Sequence, residues 1–577
     1  MTERLKIVVV GSVAAGTSAA AKARRGSEDA EIVVYERDTD ISYSGCGLPY
    51  YLGGRVETID VLTPRDAAWF AKRYGIDVRT GHEVTGVDTA ARTVTVRDLA
   101  SGETFTDDYD ELVLATGVSP VVPPLPGVDA DGVFTLRNPS DATAIREWIE
   151  NRGARRAVIV GAGYIGLETA EQLTERGLDV TVVEMEAHSM PRMDADVADR
   201  VDDELRSRGV ELLTRARVTS IETSDDGAAR AVRVEAGAEP GSGPGSGSGD
   251  AERTVETDLV VVAVGVRPNL DLARAAGVRV GESGAIAVDP AGRTSADHVW
   301  AVGDVAESFD LITGDPAWVP LGSTANKTGR IAGDALTGGD LEHRGILGTS
   351  IVRVFDLAVA QTGLTEDRAR AAGFDPVVVH NIKPDRPAYL GGQEMLIKAV
   401  ADRRTGRLLG AQAVGPSGVD KRIDVLATAI TFGAKAEDLF HLDLAYAPTY
   451  ATTKDPVHYT GMALDGAISG RAALVSASEL DRRRDGGEQV QVVDVRSAKD
   501  RAKSAVDDSV HIPLAELRAR ADELDPALPT VTYCNKGVTG NAGQNVLRGR
   551  GFADVANLSG GNKTYQRHVR GRSAEGR

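Results

Sequence analysis

The strongest constraint on the fold of this chain is a strand, a glycine turn, a helix, a second strand and an acidic residue, met twice in the same order. Ile7-Val8-Val9-Val10 runs into Gly11-Ser12-Val13-Ala14-Ala15-Gly16, a small-residue helix over Thr17 to Arg25, and a strand from Glu31 to Tyr35 that ends at Glu36. Ala157-Val158-Ile159-Val160 runs into Gly161-Ala162-Gly163-Tyr164-Ile165-Gly166, a helix through Arg176, and Val180 to Val183 before Glu184. Each set predicts a βαβ unit that binds a dinucleotide. Glycine at the turn lets backbone approach a pyrophosphate, the helix N-terminus supplies positive potential, and the acid accepts a ribose hydroxyl. The second copy matches the full fingerprint, whereas Val13 takes the middle glycine position of the first. Glu184 at the ribose position would repel a 2′-phosphate, which favours NADH over NADPH.

Three further apolar runs stop at glycine: Leu112 to Ala115 before Thr116-Gly117, Val260 to Val264 before Gly265, and Val299 to Val302 before Gly303-Asp304. Such endings put backbone at the carboxyl edge of a parallel sheet, where nucleotides bind. The 577 residues are too many for one core and predict three or four domains. No apolar stretch reaches the roughly 20 residues needed to span a bilayer, so the expectation is a soluble, cytoplasmic protein without a membrane partner. A net charge of −19, spread along the chain, makes nucleic acid an unsuitable partner and is compatible with a host of high internal salt. The Gly/Ser/Pro-rich insert from Gly237 to Asp250 is expected to be a mobile hairpin loop.

The chain has only two cysteines, Cys46 in Ser42-Tyr43-Ser44-Gly45-Cys46-Gly47-Leu48-Pro49-Tyr50-Tyr51 and Cys534 in Cys534-Asn535-Lys536-Gly537-Val538-Thr539-Gly540. They form no disulfide framework and no metal-ligand cluster, which implies a reducing compartment. Glycines near both predict exposed sulfurs faced by backbone N–H groups, an arrangement that favours the thiolate. Cys46 has no second cysteine a few residues away, so it would hold oxidising equivalents as a mixed disulfide, a sulfenic acid or a persulfide.

These motifs, in this order, resemble the two-dinucleotide-domain flavoprotein disulfide reductases. The resemblance implies FAD on the first fingerprint (Gly11, Val13, Ala14, Ala15, Gly16, Glu36, with Thr116, Gly117 and Asp304) and NAD(P)H on the second (Gly161, Gly163, Tyr164, Ile165, Gly166, Glu184, with Gly265). The Ser42 to Tyr51 segment with Gly53-Gly54, and the Val-Ala-Ala-Gly form of the first turn, are similar to the single-cysteine branch that holds coenzyme A disulfide reductases, NADH oxidases and NADH peroxidases. Within that branch the resemblance is to coenzyme A disulfide reductases. Cys46 is then the redox nucleophile, and Ser18, Lys22, Arg25, Ser42 and Asn326 contact coenzyme A. Lys22 and Arg25 also make independent sense as cations for a phosphorylated thiol. The 345–461 segment alternates like a half-buried antiparallel sheet and resembles the dimerisation domain of these proteins. There the site is completed across a two-fold axis, so Tyr389, Tyr446 and Lys454 would reach it from the other subunit, a tyrosine hydroxyl donating a proton to the departing thiolate.

After Gly470, a charged linker over Asp481 to Asp485 precedes Val490 to Arg496, His511-Ile512-Pro513-Leu514, the Cys534 loop, and Asn557-Leu558-Ser559-Gly560-Gly561. These four signatures resemble a rhodanese domain, with Lys536 adding charge at the rim of a sulfur-carrying loop and Asp494, Arg496 and His511 holding strands and loops. The expected architecture is α/β: two Rossmann-like dinucleotide-binding domains (FAD, 1–149 and 273–338; NAD(P)H, 150–272), an α+β dimerisation domain (339–470) and a C-terminal α/β rhodanese-like domain (485–570) in a homodimer. The expected function is FAD-dependent, NAD(P)H-driven reduction of coenzyme A disulfide, coenzyme A persulfide or polysulfide, with sulfane sulfur handled by Cys534. The alternatives are an NADH oxidase or peroxidase cycling Cys46 through sulfenic acid, and a sulfurtransferase or sulfur-relay protein.

Overall fold

The computed structural model describes residues 4–237 and 252–575, so most of the Gly/Ser-rich insert lies outside the described residues. The chain forms two compact units, one from residues up to Ala187 together with Gly209–Ile346, the other from His188–Arg208 together with Leu347 onward. Among the described residues no helix is long and apolar enough to cross a membrane.

The first unit contains two five-stranded parallel sheets. In one, strands run in the order Val299–Ala301, Glu111–Leu114, Lys6–Val10, Glu31–Tyr35, Asp77–Arg79; in the other, Glu211–Leu213, Asp179–Val183, Arg156–Val160, Leu259–Val262, Val133–Phe134. The central strands are buried on both faces, with Ile7, Val8 and Val9 fully covered, which is why they read as unbroken apolar runs. Lys6–Val10 pairs Val8 with Val33 on one side and Leu112 on the other. The helices that follow the two glycine turns span Ala15–Gly26 and Tyr164–Glu175. A three-stranded antiparallel sheet accompanies each parallel one: His82–Asp88, Thr93–Asp98 and Thr104–Asp108, and then Ala216–Thr223, Ala229–Ala236 and Glu252–Glu256.

The second unit begins with an antiparallel sheet ordered Ser350–Val354, Leu357–Gly363, Leu408–Gly415, Glu394–Asp402, Pro376–Pro384. Its central strands are not half-buried: every residue of Leu408–Gly415, and all but the first of Glu394–Asp402, is buried. Helices Val419–Thr431, Pro456–Ile468 and Ala195–Ser207 all pack on these strands. The polar residues in the strands are satisfied by pairing. Lys398, 4 % exposed, sits 3.0 Å from both Asp194 and Asp196, and Gln412 donates to Asp194 at 2.7 Å. The C-terminal part is a five-stranded parallel sheet, Leu474–Val475, Val555–Leu558, Thr530–Tyr533, Gln491–Asp494, Val510–His511.

Asp481–Asp485, expected as linker, belongs instead to helix Ala477–Asp485. Ser476 caps that helix by accepting from Glu479 N, and Arg482, Arg483 and Arg484 fill its last turn, where cations suit the dipole. Asp481 is buried and accepts from the Tyr565 hydroxyl at 3.1 Å. The charge run that suggests a linker is the exposed face and C-terminal turn of a docked helix.

Candidate active site

The two glycine turns share one steric plan. Gly11 and Gly161 have φ of +104° and +102°, which a side chain rarely adopts, and a Cβ on either would fall within 2.3 Å of Ala115 O or 2.5 Å of Ala263 O. A Cβ on Gly16 would meet Gly11 O at 1.9 Å, and one on Gly166 would meet Gly161 O at 2.0 Å. The middle position differs. Gly163 has φ −78°, and a Cβ there would touch nothing within 4 Å. Val13 likewise lies outside the left-handed region. The backbone therefore does not require glycine at the middle position, and the departure at Val13 costs the turn nothing. Ala14 caps the first helix and Ala15 opens it, packed so closely that a Cβ on Gly329 would meet Ala15 O at 2.2 Å.

Glu36 accepts from Ser12 N and Ser12 Oγ, both at 2.8 Å, and Glu184 accepts from Ala162 N at 2.7 Å. Each acid thus ties its strand to the preceding turn and keeps carboxylate lone pairs for a ribose hydroxyl. Tyr164 and Ile165 form the first turn of the second helix, with Ile165 exposed. Thr116 Oγ1 donates to Asn269 O at 3.0 Å, Gly117 O accepts from Asn269 N at 3.0 Å, and Gly265 O accepts from Val121 N at 2.9 Å, so these three fix one another's strand ends. The Asp304 carboxylate has no hydrogen-bond partner among the described residues; burial pushes its pKa up against the pull of Arg137. The open cradle over Gly163, the glycine-enforced turns and an acceptor such as Asp304 are what bound dinucleotides need, so the residues present fit FAD and NAD(P)H.

Cys46 lies in the short 3-10 turn Gly45–Gly47, ahead of helix Leu48–Leu52, and is exposed as expected. Its electrostatics are the reverse of the expectation. The crowded cleft pushes the thiol pKa up, and the nearby carboxylates of Glu168 and Asp304 push it further; backbone hydrogen bonding offsets this least. Sequence reading gave Glu168 no role. Burial and neighbouring Glu171 raise its carboxyl to about 7, while Tyr50 donates to it at 3.2 Å.

The residues expected to touch coenzyme A are brought together by helices Ala15–Gly26 and Gly322–Ala335. Ser18 Oγ donates to Asn326 Oδ1 at 2.8 Å, Arg25 donates to the Tyr74 hydroxyl at 2.9 Å, and Lys22 pairs with Asp334 at 2.6 Å. The charge of Lys22 is therefore already balanced within this chain. Ser42, on the Cys46 loop, has φ +51°. Arg137, which sequence reading missed, donates to the Tyr43 hydroxyl at 3.0 Å and to Val118 O at 3.1 Å. A single arginine in a loop carries no pattern that would have marked it.

In the second unit, Tyr389 is 77 % exposed, and Tyr446 lines a surface hollow with Lys421 and Tyr450. Lys454 Nζ stands 5.5 Å from the centre of the Tyr459 ring.

Cys534 ends strand Thr530–Tyr533, and helix Val538–Gly549 begins after Gly537, whose φ is +105°. Contrary to expectation the sulfur is buried: the residue is 6 % exposed. Gly537 N donates to Sγ at 3.1 Å, one N–H rather than a ring of them. The loop is clamped from behind, because Asn557 donates to Gly537 O at 3.0 Å and Asn562 N donates to Cys534 O at 2.7 Å. Asp494, fully buried, accepts from Arg496 and from Tyr533, and His511 Nε2 hydrogen-bonds Arg496 O, so these residues are scaffold as expected. Lys536 and Lys563 both pair with Glu394.

Residues 5–321 match the pyridine nucleotide-disulphide oxidoreductase family, 349–456 its dimerisation domain, and 476–568 the rhodanese-like domain. The chain belongs to the pyridine nucleotide-disulphide oxidoreductase family. A CoA-dependent NAD(P)H sulfur oxidoreductase of Pyrococcus furiosus is 38 % identical over 460 residues, 79 % of this chain and 98 % of that protein. Reduced CoADR-RHD of Bacillus anthracis matches with a TM-score of 0.92 at 36 % identity, covering 99 % of both chains. An NAD-dependent persulfide reductase from A. fulgidus matches with a TM-score of 0.87 at 37 % identity, covering 97 % of this chain and all of the other. Members of this family use FAD and NAD(P)H, and the two structural relatives span the rhodanese-like part as well as the oxidoreductase part.

Proposed function

We propose that this protein is an NADH-driven reductase of coenzyme A persulfide and disulfide, working through Cys46, with Cys534 as the carrier of sulfane sulfur. The observation that carries the reading is the single exposed thiol of Cys46, next to Asp304 and Glu168 and supported by two dinucleotide turns, in a chain that also carries a clamped rhodanese cysteine. The two cysteines are unpaired, which suits a reducing, cytoplasmic setting.

Bound FAD and NAD(P)H supply hydride transfer and deliver an electron pair to sulfur. Cys46 thiolate attacks the inner sulfur of R–S–SH, forms Cys46–S–S–R and releases HS⁻; two electrons then return Cys46 thiolate and R–S⁻. Burial first, and then the Glu168 and Asp304 carboxylates, disfavour the Cys46 thiolate in the chain alone. Ser18, Arg25, Ser42 and Asn326 orient the substrate, with Lys22 sharing its charge between Asp334 and the ligand. Gly11, Val13, Ala14, Ala15, Gly16, Glu36, Thr116, Gly117 and Asp304 hold FAD, while Gly161, Gly163, Tyr164, Ile165, Gly166, Glu184 and Gly265 hold the nicotinamide nucleotide. Glu184 favours NADH over NADPH.

A homodimer is the natural assembly for an exposed apolar set that includes Tyr389, Leu390, Phe432, Phe440, Tyr446 and Tyr450. In it Tyr389 or Tyr446 of the second subunit donates the proton to the departing thiolate. The FAD-binding part spans 1–149 and 273–338, the NAD(P)H-binding part 150–272, the dimerisation part 339–470 and the rhodanese-like part 485–570, with helix Ala477–Asp485 docked on the last through Asp481 and Tyr565. The test is anaerobic NADH oxidation with coenzyme A disulfide, coenzyme A persulfide and polysulfide in parallel, with sulfide measured. Sulfide release from the persulfide ahead of disulfide turnover is expected. No turnover with any of them, followed by fast NADH oxidation once air is admitted, would make the protein an oxidase instead.

A further inference from the structure

The chain is strongly acidic, yet the mouth of the Cys534 loop gathers lysines from different parts of the second unit. Lys383, at the end of strand Pro376–Pro384, stands with Nζ 3.8 Å from the centre of the Tyr459 ring, and Lys454 shares that ring at 5.5 Å. Lys536, two residues after Cys534, and Lys563 share the one carboxylate of Glu394, on the strand that pairs with the Lys383 strand. Lys383 and Lys454 make no ion pair among the described residues. Among the described residues, the ion pairs made by these four lysines all go to Glu394. A half-buried Lys383 held between other lysines is disfavoured: burial lowers its pKa most and the charges of Lys536 and Lys454 lower it further, while a Cys534 thiolate is near enough to act the other way. Tyr459 contributes a second local attraction, a ring face for two ammonium groups. Cations gathered in this way need an anion to complete them.

We propose that Lys383 and Lys454, seated on Tyr459, together with Lys536 form the anion-binding wall of the Cys534 site and hold the charged end of a phosphorylated thiol while its terminal sulfur reaches Cys534. The assignment rests on the function proposed above and names where the carrier docks for sulfur transfer. The rhodanese-like part supplies the sulfur and one lysine; Lys383, Lys454 and the aromatic platform come from the sequence before it. In the transfer itself, Cys534 thiolate attacks the outer sulfur of R–S–SH and a new S–S bond forms as the old one breaks. The electron pair of the broken bond leaves on R–S⁻, and the proton stays on the transferred sulfur. No outside oxidant or reductant enters. Gly537 N–H, 3.1 Å from Sγ, faces the developing persulfide, and helix Val538–Gly549 points its N-terminus at the same place.

The test uses the full-length flavoprotein carrying Cys46→Ser, which leaves Cys534 the only cysteine, without NADH, and follows persulfide on Cys534 by intact mass. Donors are coenzyme A persulfide, pantetheine persulfide, which has the same reacting arm without the charged end, and thiosulfate. Coenzyme A persulfide is expected to load at a lower KM than pantetheine persulfide. Lys383→Gln should shrink that preference about tenfold, chiefly through KM, Lys383→Arg should keep most of it, and added salt should erode it in the parent only. Equal losses on both thiol persulfides would show a merely structural role for Lys383 and overturn the proposal, as would an unchanged preference in folded Lys383→Gln. A loss confined to thiosulfate would overturn the phosphorylated-thiol assignment in favour of a small inorganic anion. Because this half-reaction needs neither NADH nor Cys46, its failure leaves NADH-dependent reduction untouched, and failure of the reductase reading shows only in the NADH assay.

Discussion

Cys46 and Cys534 each occupy a glycine-rich turn after a strand or short loop, and there the likeness ends. Cys46 is exposed at the surface of a crowded cleft, where burial first and then Glu168 and Asp304 push its thiol pKa upward, whereas Cys534 is buried, takes a hydrogen bond from Gly537 N–H, and has lysines about it. One sulfur is accessible and electrostatically restrained; the other is shielded and surrounded by cations. Such a division suits two jobs. A thiol that must wait for reduction and for a substrate is safest protonated, and a sulfur that must carry an extra, easily lost sulfur atom benefits from burial and positive potential.

The comparison breaks most visibly if the sulfurs are exchanged for oxygen one at a time. Cys46→Ser should lower NADH-dependent reduction of coenzyme A disulfide by at least about a thousandfold, measured anaerobically, because no second thiol stands beside it in the sequence. Cys534→Ser should leave disulfide reduction within about twofold while lowering polysulfide-dependent sulfide release, which needs the sulfane-sulfur carrier, by about tenfold or more. Equal activity of Cys534→Ser on every sulfur substrate would separate the two sites functionally and remove the division of labour.

The glycine turns are legible because much of their constraint is local: Gly11 and Gly161 take a positive φ, and Gly16 and Gly166 are crowded by Gly11 O and Gly161 O of the same βαβ unit, even though the carbonyls that crowd Gly11 and Gly161, of Ala115 and Ala263, come from later strands. The scaffold of Asp494, Arg496 and His511 follows from motifs that keep their spacing. The charges around the sulfurs are not legible in this way. Glu168 approaches Cys46 from more than a hundred residues away, and Lys383 approaches Cys534 from a strand with no motif of its own. The helix Ala477–Asp485 and the fully buried strands at Glu394 and Leu408 were obscured for a related reason, since a charge run or an alternating pattern reveals its buried side only once the packing partner is known.

The glycines next to the sulfurs sharpen the contrast at lower amplitude. A Cβ at Gly540 would fall 2.2 Å from Asn557 Oδ1 and 3.2 Å from Cys534 N, whereas one at Gly45 meets only Tyr43 at 3.8 Å. Gly540→Ala should therefore cost about 1–3 kcal/mol and disturb the Cys534 loop, read as a lower midpoint of chemical unfolding, while Gly45→Ala should be neutral to within about 0.5 kcal/mol. Comparable costs for both would mean that the two loops are equally tight.

The smallest effect concerns Glu168, whose carboxyl is raised to about 7 by burial first and by Glu171 second. An acid with a folded pKa above its unfolded value of 4.5 prefers to stay protonated in the fold. Its ionisation therefore costs stability, progressively between pH 4.5 and about 7, and the cost is complete above that range. Glu168→Gln should raise the melting temperature of the flavoprotein at pH 8, by an amount on the order of 1 kcal/mol in stability, and should do little at pH 5. The same substitution removes a negative charge beside Cys46, so the pH midpoint for alkylation of Cys46, followed in the Cys534→Ser background, should move down. Alkylation of Cys534, followed in Cys46→Ser, should not move. A shift at Cys534, or none at Cys46, would show that the carboxylate does not restrain the exposed sulfur and that the two thiols differ by burial alone.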